Sequence, residues 1–274
     1  MRPDDLLYIY EMEGTLFEPE KFFKEAFLAH WREGESTFLF FSEPQEESLK
    51  TFLKKNPHLT WVRSHSMSYK DWQGKGSSEY LDVGNLLFIP PGVTPPENRE
   101  GIYIRLDPGV VFGSGHHPTT RDSLLALLWV YNQGKPETVL DLGTGTGILS
   151  LAAISLGAKE ILAIDWNPAC VETAKKNVAL NSLEANIKVQ EGRAEEYIQQ
   201  PAELLVANLH LAVIREVIKN KAFFEKKWVI LSGMMRSEYL EVKNDLKVSG
   251  FEILKEWDSE FTWFTLAGRN KGYP

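Results

Sequence analysis

Several things are scarce in this chain, and each scarcity excludes a class. There is one cysteine, Cys170, so no disulfide can form within the chain. That usage suits a reducing compartment and predicts a cytoplasmic protein. No run of about 18 apolar residues occurs, so no membrane span is expected. The first residues, MRPDDLLYIYEMEG, carry acids where a signal peptide needs a basic start and a longer apolar stretch. Positive charge is also short: 30 Lys and Arg stand against 38 Asp and Glu, a net charge of −8. Contacts to phosphate need Lys and Arg, so direct DNA binding is not expected. A lysine-rich protein is the better-matched partner.

What remains is ordinary for a globular chain. Hydrophobic residues make up 43% of the 274 and charged residues 25%. The length admits one large domain or two modest ones. No internal repeat or low-complexity tract interrupts it.

Two stretches rich in Gly, Pro and Ser read as boundaries, QGKGSSE at 73–79 and PPGVTPPENR at 90–99. Between them Leu86–Ile89 is a candidate strand. The expectation is therefore a small α+β domain over 1–69, a linker over 70–102 and a larger domain over 103–274. In the small domain, strands are expected at Leu6–Tyr10, Ser36–Phe41 and Leu59–Arg63. Helices are expected at Glu20–Trp31, with Phe22, Phe23, Ala26 and Phe27 on one face, and at Glu46–Lys55.

The larger domain has a regular rhythm. Strand-like runs at Thr138–Leu142, Glu160–Ile164, Ile187–Gln190, Leu204–Ala207 and Trp228–Leu231 alternate with helical segments at Ile148–Leu156, Cys170–Ala179, Leu211–Lys219 and Ser237–Val248. Alternation of this kind implies a parallel sheet with right-handed crossovers. The end differs: Phe251–Trp257 and Phe261–Ala267 flank a short polar turn and read as an antiparallel hairpin. The fold class expected is α/β, a Rossmann-like and mostly parallel sheet with an antiparallel C-terminal hairpin.

The most informative motif joins the first of these strands to its helix. It runs Val139-Leu140-Asp141-Leu142-Gly143-Thr144-Gly145-Thr146-Gly147. Glycines there permit a tight turn and close approach of backbone to a ligand at the helix N-terminus. A dinucleotide turn has GxGxxG, and the position needed for its last Gly is Ile148. A phosphate loop has Lys after its last Gly, and that is missing too. A methionine tail joined to a ribose is the better ligand, which makes Asp141, Gly143, Gly145 and Gly147 candidate contacts.

The next strand ends in Asp165-Trp166-Asn167-Pro168. An acid about 20 residues past the turn is placed to accept hydrogen bonds from ribose hydroxyls. Asn167 can cap the following helix, with Pro168 at its first position. Trp166 is a candidate to pack against an adenine. Taken singly, a GxGxG turn is common and Asp165 could be a surface acid; the pair on successive strands points to binding.

These features resemble the class I methyltransferases, and further blocks narrow the resemblance. LDPGVVFGSGHHPTT at 106–120 is similar to the LDPGxAFGTGxHxTT signature of the PrmA family, the ribosomal protein L-eleven methyltransferases. Val206-Ala207-Asn208-Leu209 and Leu231-Ser232-Gly233-Met234 resemble that family's VANI/VANL and LSGI stretches. The resemblance implies S-adenosylmethionine as cofactor, with Thr120, Gly143, Asp165 and Asn208 on cofactor-contacting positions. Thr120 would close over the methionine end, Asp165 would hold the ribose, and Asn208 would lie beside the sulfonium and the incoming amine. It also implies methylation of lysine or N-terminal amines of a ribosomal protein, which the small domain presents. The family's small domain reads strand-helix-strand-strand-helix-strand, whereas one clear strand lies between the two expected helices here.

Two other readings stand beside this one: a methyltransferase for a small molecule or RNA with an altered recognition domain, and a non-catalytic cofactor-binding protein. A [DN]PP[FY] motif, expected for planar amide or base substrates, is replaced by Asn208-Leu209-His210-Leu211. His116 and His117 are adjacent, and neighbouring side chains point apart, so no metal site is expected from them. They and His210 carry no assigned role.

Overall fold

A computed structural model of the chain describes residues 4–14, 16, 19–24, 26–33, 36–73 and 80–272. The chain divides into two compact units, Met1–Ser77 and Ser78–Pro274.

The smaller unit contains β1 (Leu6–Glu13), a 3-10 turn (Pro19–Lys21), β2 (Phe27–Glu33), β3 (Ser36–Phe41), α1 (Glu46–Lys55), β4 (Thr60–Ser68) and α2 (Tyr69–Gln73). Its sheet has the order β2-β3-β1-β4 and is antiparallel throughout. That is the ferredoxin-like order, with a single 3-10 turn described where the first helix would lie. Tyr10, Met12, Leu39 and Phe41 of the sheet pack against Leu49 and Phe52 of α1.

The helix expected at Glu20–Trp31 is therefore corrected: its second half is strand β2. The aromatic spacing mimicked a helix, but Ala26 has a left-handed φ of 59°, which stops helical winding before Phe27. Pairing with β3 then outweighs local periodicity. Phe23 and Phe27 still share a target, the ring of Phe41, at 5.3 and 5.4 Å. With β2 in place the unit has two strands between its 3-10 turn and α1, so the missing strand of the family pattern is the one read as helix.

The stretch expected as a linker over 70–102 is also largely structured, apart from 74–79, which lie outside the described residues. It holds most of a three-stranded sheet of β5 (Leu81–Val83), β6 (Leu86–Ile89) and β7 (Ile102–Arg105). Leu81, Val83, Leu86, Phe88 and Ile104 belong to a core of the larger unit. The Pro-rich segment at 90–99 is the connection between β6 and β7, not a boundary.

The rest of the larger unit runs α3 (Pro118–Gln133), β8 (Thr138–Leu142), α4 (Ile148–Leu156), β9 (Glu160–Asp165), α5 (Pro168–Leu180), β10 (Ile187–Glu191), α6 (Ala194–Tyr197), β11 (Leu204–Asn208), α7 (Leu211–Lys219), β12 (Trp228–Met235), α8 (Arg236–Val248), β13 (Phe251–Ser259) and β14 (Trp263–Asn270). Seven strands form one sheet in the order β10-β9-β8-β11-β12-β14-β13. The pairs among β8 to β12 are parallel, and β14 pairs antiparallel with both β12 and β13. The expected strands, helices and hairpin all appear, with ends shifted by a residue or a few.

The two faces of this sheet are buried in separate cores. Val139, Ile161, Leu204, Val206 and Ile230 face one, and Leu140, Leu142, Leu205, Val229 and Leu231 face the other. Strands covered on both sides read as continuous apolar runs, which is why they were legible. Strand order reverses on either side of β8, so the crevice at the carboxyl ends of β8 and β11 is where such sheets bind ligands. No helix among the described residues is long and apolar enough to cross a membrane.

Candidate active site

The glycine turn leaves the carboxyl end of β8 and enters α4. Gly143, Gly145 and Gly147 have φ of 75°, 56° and 84°. At Gly143 a Cβ would lie 2.2 Å from Leu209 Cδ2, and at Gly145 it would lie 2.6 Å from the carbonyl oxygen of Phe112. Both positions have the left-handed conformation that favours glycine, and at Gly145 the close neighbour is backbone, whereas at Gly143 it is the tip of the Leu209 side chain.

The turn spends its own N–H groups internally. Gly143 and Thr144 both donate to the carbonyl of Ile164, at 2.8 and 2.9 Å, and Gly147 donates to Thr144. Gly145 donates to Asp165 Oδ2 at 2.9 Å. Few donors remain for a phosphate, in keeping with the sequence motif.

Two carboxylates flank the turn. Asp141 is 1% exposed; its Oδ2 accepts from Thr144 Oγ1 at 2.7 Å and Ser150 Oγ at 2.6 Å, while its buried Oδ1 has no partner among the described residues. Burial pushes its pKa up to about 6, opposed by those hydroxyls and helped by the charge of Asp165. Asp165 ends β9, with Oδ1 accepting from Asn167 N–H at 2.9 Å. Burial raises its pKa, against the lowering effect of the backbone N–H groups of Asn167 and Gly145. Asn167 caps α5 by accepting from Ala169 N–H at 3.0 Å, with Pro168 in the first turn, as the residue types demand.

Asn208 stands at the carboxyl end of β11, and Thr120 lies in the first turn of α3. Their side chains meet, Asn208 Nδ2 donating to Thr120 Oγ1 at 3.5 Å. The Asn208 carbonyl lies 3.8 Å from where a Gly143 Cβ would sit. The structure therefore gathers Thr120, Asp141, Gly143, Gly145, Gly147, Asp165 and Asn208 around one group of strand ends. Trp166 adjoins Asp165 but is 53% exposed.

The histidines have different places. His117 starts α3, its Nδ1 accepting from Thr119 N–H at 3.3 Å, and its ring lies 5.2 Å from Phe112 and 5.1 Å from Trp263. Burial lowers its pKa, and burial together with Arg121 lowers that of His116. His210 is exposed before α7. Among the described residues no group of three or more His, Cys, Asp or Glu side chains is placed to hold a metal.

Sequence reasoning missed what holds the 106–120 block against the turn. Thr146 Oγ1 donates to the Gly113 carbonyl at 2.7 Å, and Asn177 bonds both Asp107 and Thr146. The available signal was an asparagine on a helix face whose other members, Cys170, Val171, Ala174 and Val178, are buried.

A sheet in this order, with a glycine turn after its first strand and an acid ending its second, defines the class I methyltransferases. Comparison with known proteins carries this to a family. The family described as Ribosomal protein L11 methyltransferase (PrmA) matches residues 15–271, and the chain belongs to that family. S-adenosylmethionine is the family's cofactor. A ribosomal protein L11 methyltransferase of Streptococcus equi subsp. zooepidemicus (strain H70) is 36% identical over 195 residues, covering 69% of this chain and 61% of that protein. One from Streptococcus pneumoniae (strain ATCC 700669 / Spain 23F-1) is 35% identical over 208 residues, 72% of this chain and 65% of that protein. The match thus spans less than two thirds of these relatives' lengths. The crystal structure of a ribosomal protein L11 methylase from Lactobacillus delbrueckii subsp. bulgaricus superposes with a TM-score of 0.60 at 29% identity, over 71% of this chain and 98% of that one.

Proposed function

We propose that the protein is an S-adenosylmethionine-dependent methyltransferase acting on lysine side-chain or N-terminal amines of a ribosomal protein. The observation that carries this reading is the meeting of Asn208 with Thr120 beside a glycine turn that is itself bonded to Asp165. The names of the relatives support the substrate class.

The residues present fit the cofactor. Asp141 offers a buried carboxylate whose Oδ1 has no partner among the described residues, suited to the ammonium of a methionine tail. The positive φ of all three glycines keeps the turn in a conformation that side chains disfavour, and a Cβ at Gly145 would meet the Phe112 carbonyl. Asp165 presents to ribose hydroxyls a carboxylate already oriented by the N–H groups of Gly145 and Asn167, with the Cys170 thiol and the Trp166 N–H bonded to it as well. Trp166, beside it, offers an exposed ring to the adenine. When bound, S-adenosylmethionine supplies an activated methyl group on a sulfonium.

The protein's own task is to present a nucleophile in line with that group. A lysine has an ordinary pKa of about 10.4, so freeing its amine at pH 7 costs about 4.6 kcal/mol. A desolvated site lowers that cost. With Nδ2 of Asn208 turned to Thr120, its Oδ1 serves as an acceptor that holds an amine N–H and aims the lone pair. No dedicated base is required. The smaller unit serves to present the protein substrate.

The test is incubation with labelled S-adenosylmethionine and a ribosomal protein extract, followed by mass spectrometry of labelled species. Label on amines of one small ribosomal protein is expected. Label confined to RNA or metabolites, or binding without transfer, would refute the reading.

A further inference from the structure

Asn177 and Asn181 stand one helical turn apart on α5; Asn181 reaches the last residue of β7 and Asn177 the segment just beyond it. Asn181 Oδ1 accepts from Arg105 N–H at 2.9 Å, and its Nδ2 donates to the Arg105 carbonyl at 2.7 Å. Asn177 repeats this on the next alternate residue: Oδ1 accepts from Asp107 N–H at 2.8 Å, and Nδ2 donates to the Asp107 carbonyl at 3.0 Å. Each amide pairs both backbone groups of one residue, as a neighbouring strand would. The spacing permits it, because four helical residues rise about 6 Å and two extended residues span about 6.6 Å. The helix face thus acts as a strand edge.

Asn177 has one bond that Asn181 lacks. Its Nδ2 also donates to the carbonyl of Thr146, inside the glycine turn, at 2.9 Å. The side chain of Thr146 closes the loop by donating to Gly113 at 2.7 Å. Asn177 is fully buried, and a buried amide is costly unless its bonding capacity is met; here three bonds meet it. Anchoring the segment does not need this. Asn181 already clamps it, and Lys176 holds the side chain of Asp107 at 2.6 Å. What Asn177 adds, beside the direct bond of Thr146 to Gly113, is a second tie that fixes the separation between the start of the 107–115 segment and the turn.

We infer that Asn177 is a positioning residue for the cofactor cleft, setting the gap between the glycine turn and the segment that lies against it. The inference rests on the reading of that cleft as the S-adenosylmethionine site. It is tested on the full chain by comparing N177A with N181A. N181A removes a clamp of the same kind without touching the turn. Affinity for S-adenosylhomocysteine, measured by calorimetry, is expected to fall at least tenfold in N177A and less than threefold in N181A, with both Tm values lowered. In turnover, N177A is expected to raise KM for the cofactor by more than it lowers kcat. If N177A does not fold, N177S, which keeps a hydroxyl donor, is compared instead, with a loss of threefold or more expected. Equal losses in the two positions, or unchanged affinity at 177, overturn the inference. Wild-type protein that fails to bind S-adenosylhomocysteine overturns the cofactor reading itself, and this inference with it.

Discussion

Oδ2 of Asp165 accepts the backbone N–H of Gly145 at 2.9 Å across 20 positions of sequence, so the acid that ends β9 is bonded directly to the turn that follows β8. Its other oxygen holds Asn167 N–H, which fixes the carboxylate from both sides. The orientation is set before any ligand arrives. D165A should therefore weaken cofactor binding by about 1–3 kcal/mol, the worth of hydrogen bonds to a charged acceptor. Calorimetric titration checks this, and an unchanged Kd would remove Asp165 from the site.

Gly143 pairs a left-handed backbone with a neighbour too near for a methyl group. G143A should lose about 1–2 kcal/mol to the backbone strain alone, with the clash against Leu209 in addition. Gly157 supplies the comparison, because it has a φ of 121° and nothing within 4 Å of a Cβ. Thermal melts should show a lowered Tm in both variants, since both glycines have positive φ. Loss of cofactor affinity is expected in G143A alone.

Asp141 makes binding depend on pH. Its folded pKa of about 6 lies above the ordinary 3.8, so between these values the folded chain holds a proton that the unfolded chain releases. Stability of the ligand-free protein therefore declines as pH rises through that window, by about 3 kcal/mol at most from this group, and changes no further above it. A cation bound beside Asp141 favours the ionised form. Cofactor binding should then release a proton near pH 6 and tighten from pH 5 to pH 7. Calorimetry in two buffers of different ionisation enthalpy measures the proton. The D141N protein should show a flatter profile, and identical profiles would contradict the role.

Asn208 is expected to act on the acceptor amine more than on the cofactor. N208A should lower kcat by about a hundredfold, the usual effect of losing one aligned polar group, while cofactor Kd changes little. Steady-state methylation assays paired with direct binding separate the two quantities. A Kd that rises as much as kcat falls would make Asn208 a cofactor ligand only.

Much of this architecture could be read from the chain itself. The buried strands of the larger unit announce themselves as apolar runs, and Gly143 to Gly147 and Asp165 by spacing, because each depends on neighbours within a few residues or on one repeat of the α/β rhythm. Local order misled where the contest was non-local. Phe22, Phe23, Ala26 and Phe27 have helical spacing, yet pairing with β3 and the left-handed Ala26 make β2 a strand. Leu81–Val83 is too short to assert itself, and becomes a strand only because β6 lies beside it. Thr120 and Asn208, 88 positions apart, and Asn177 and Thr146, 31 apart, were brought together by the sheet and the helices it carries. Periodicity and turn chemistry are properties of adjacent residues and survive in a linear string. A hydrogen bond between distant side chains exists only once the backbone has closed the loop between them, so those pairings belonged to the tertiary structure.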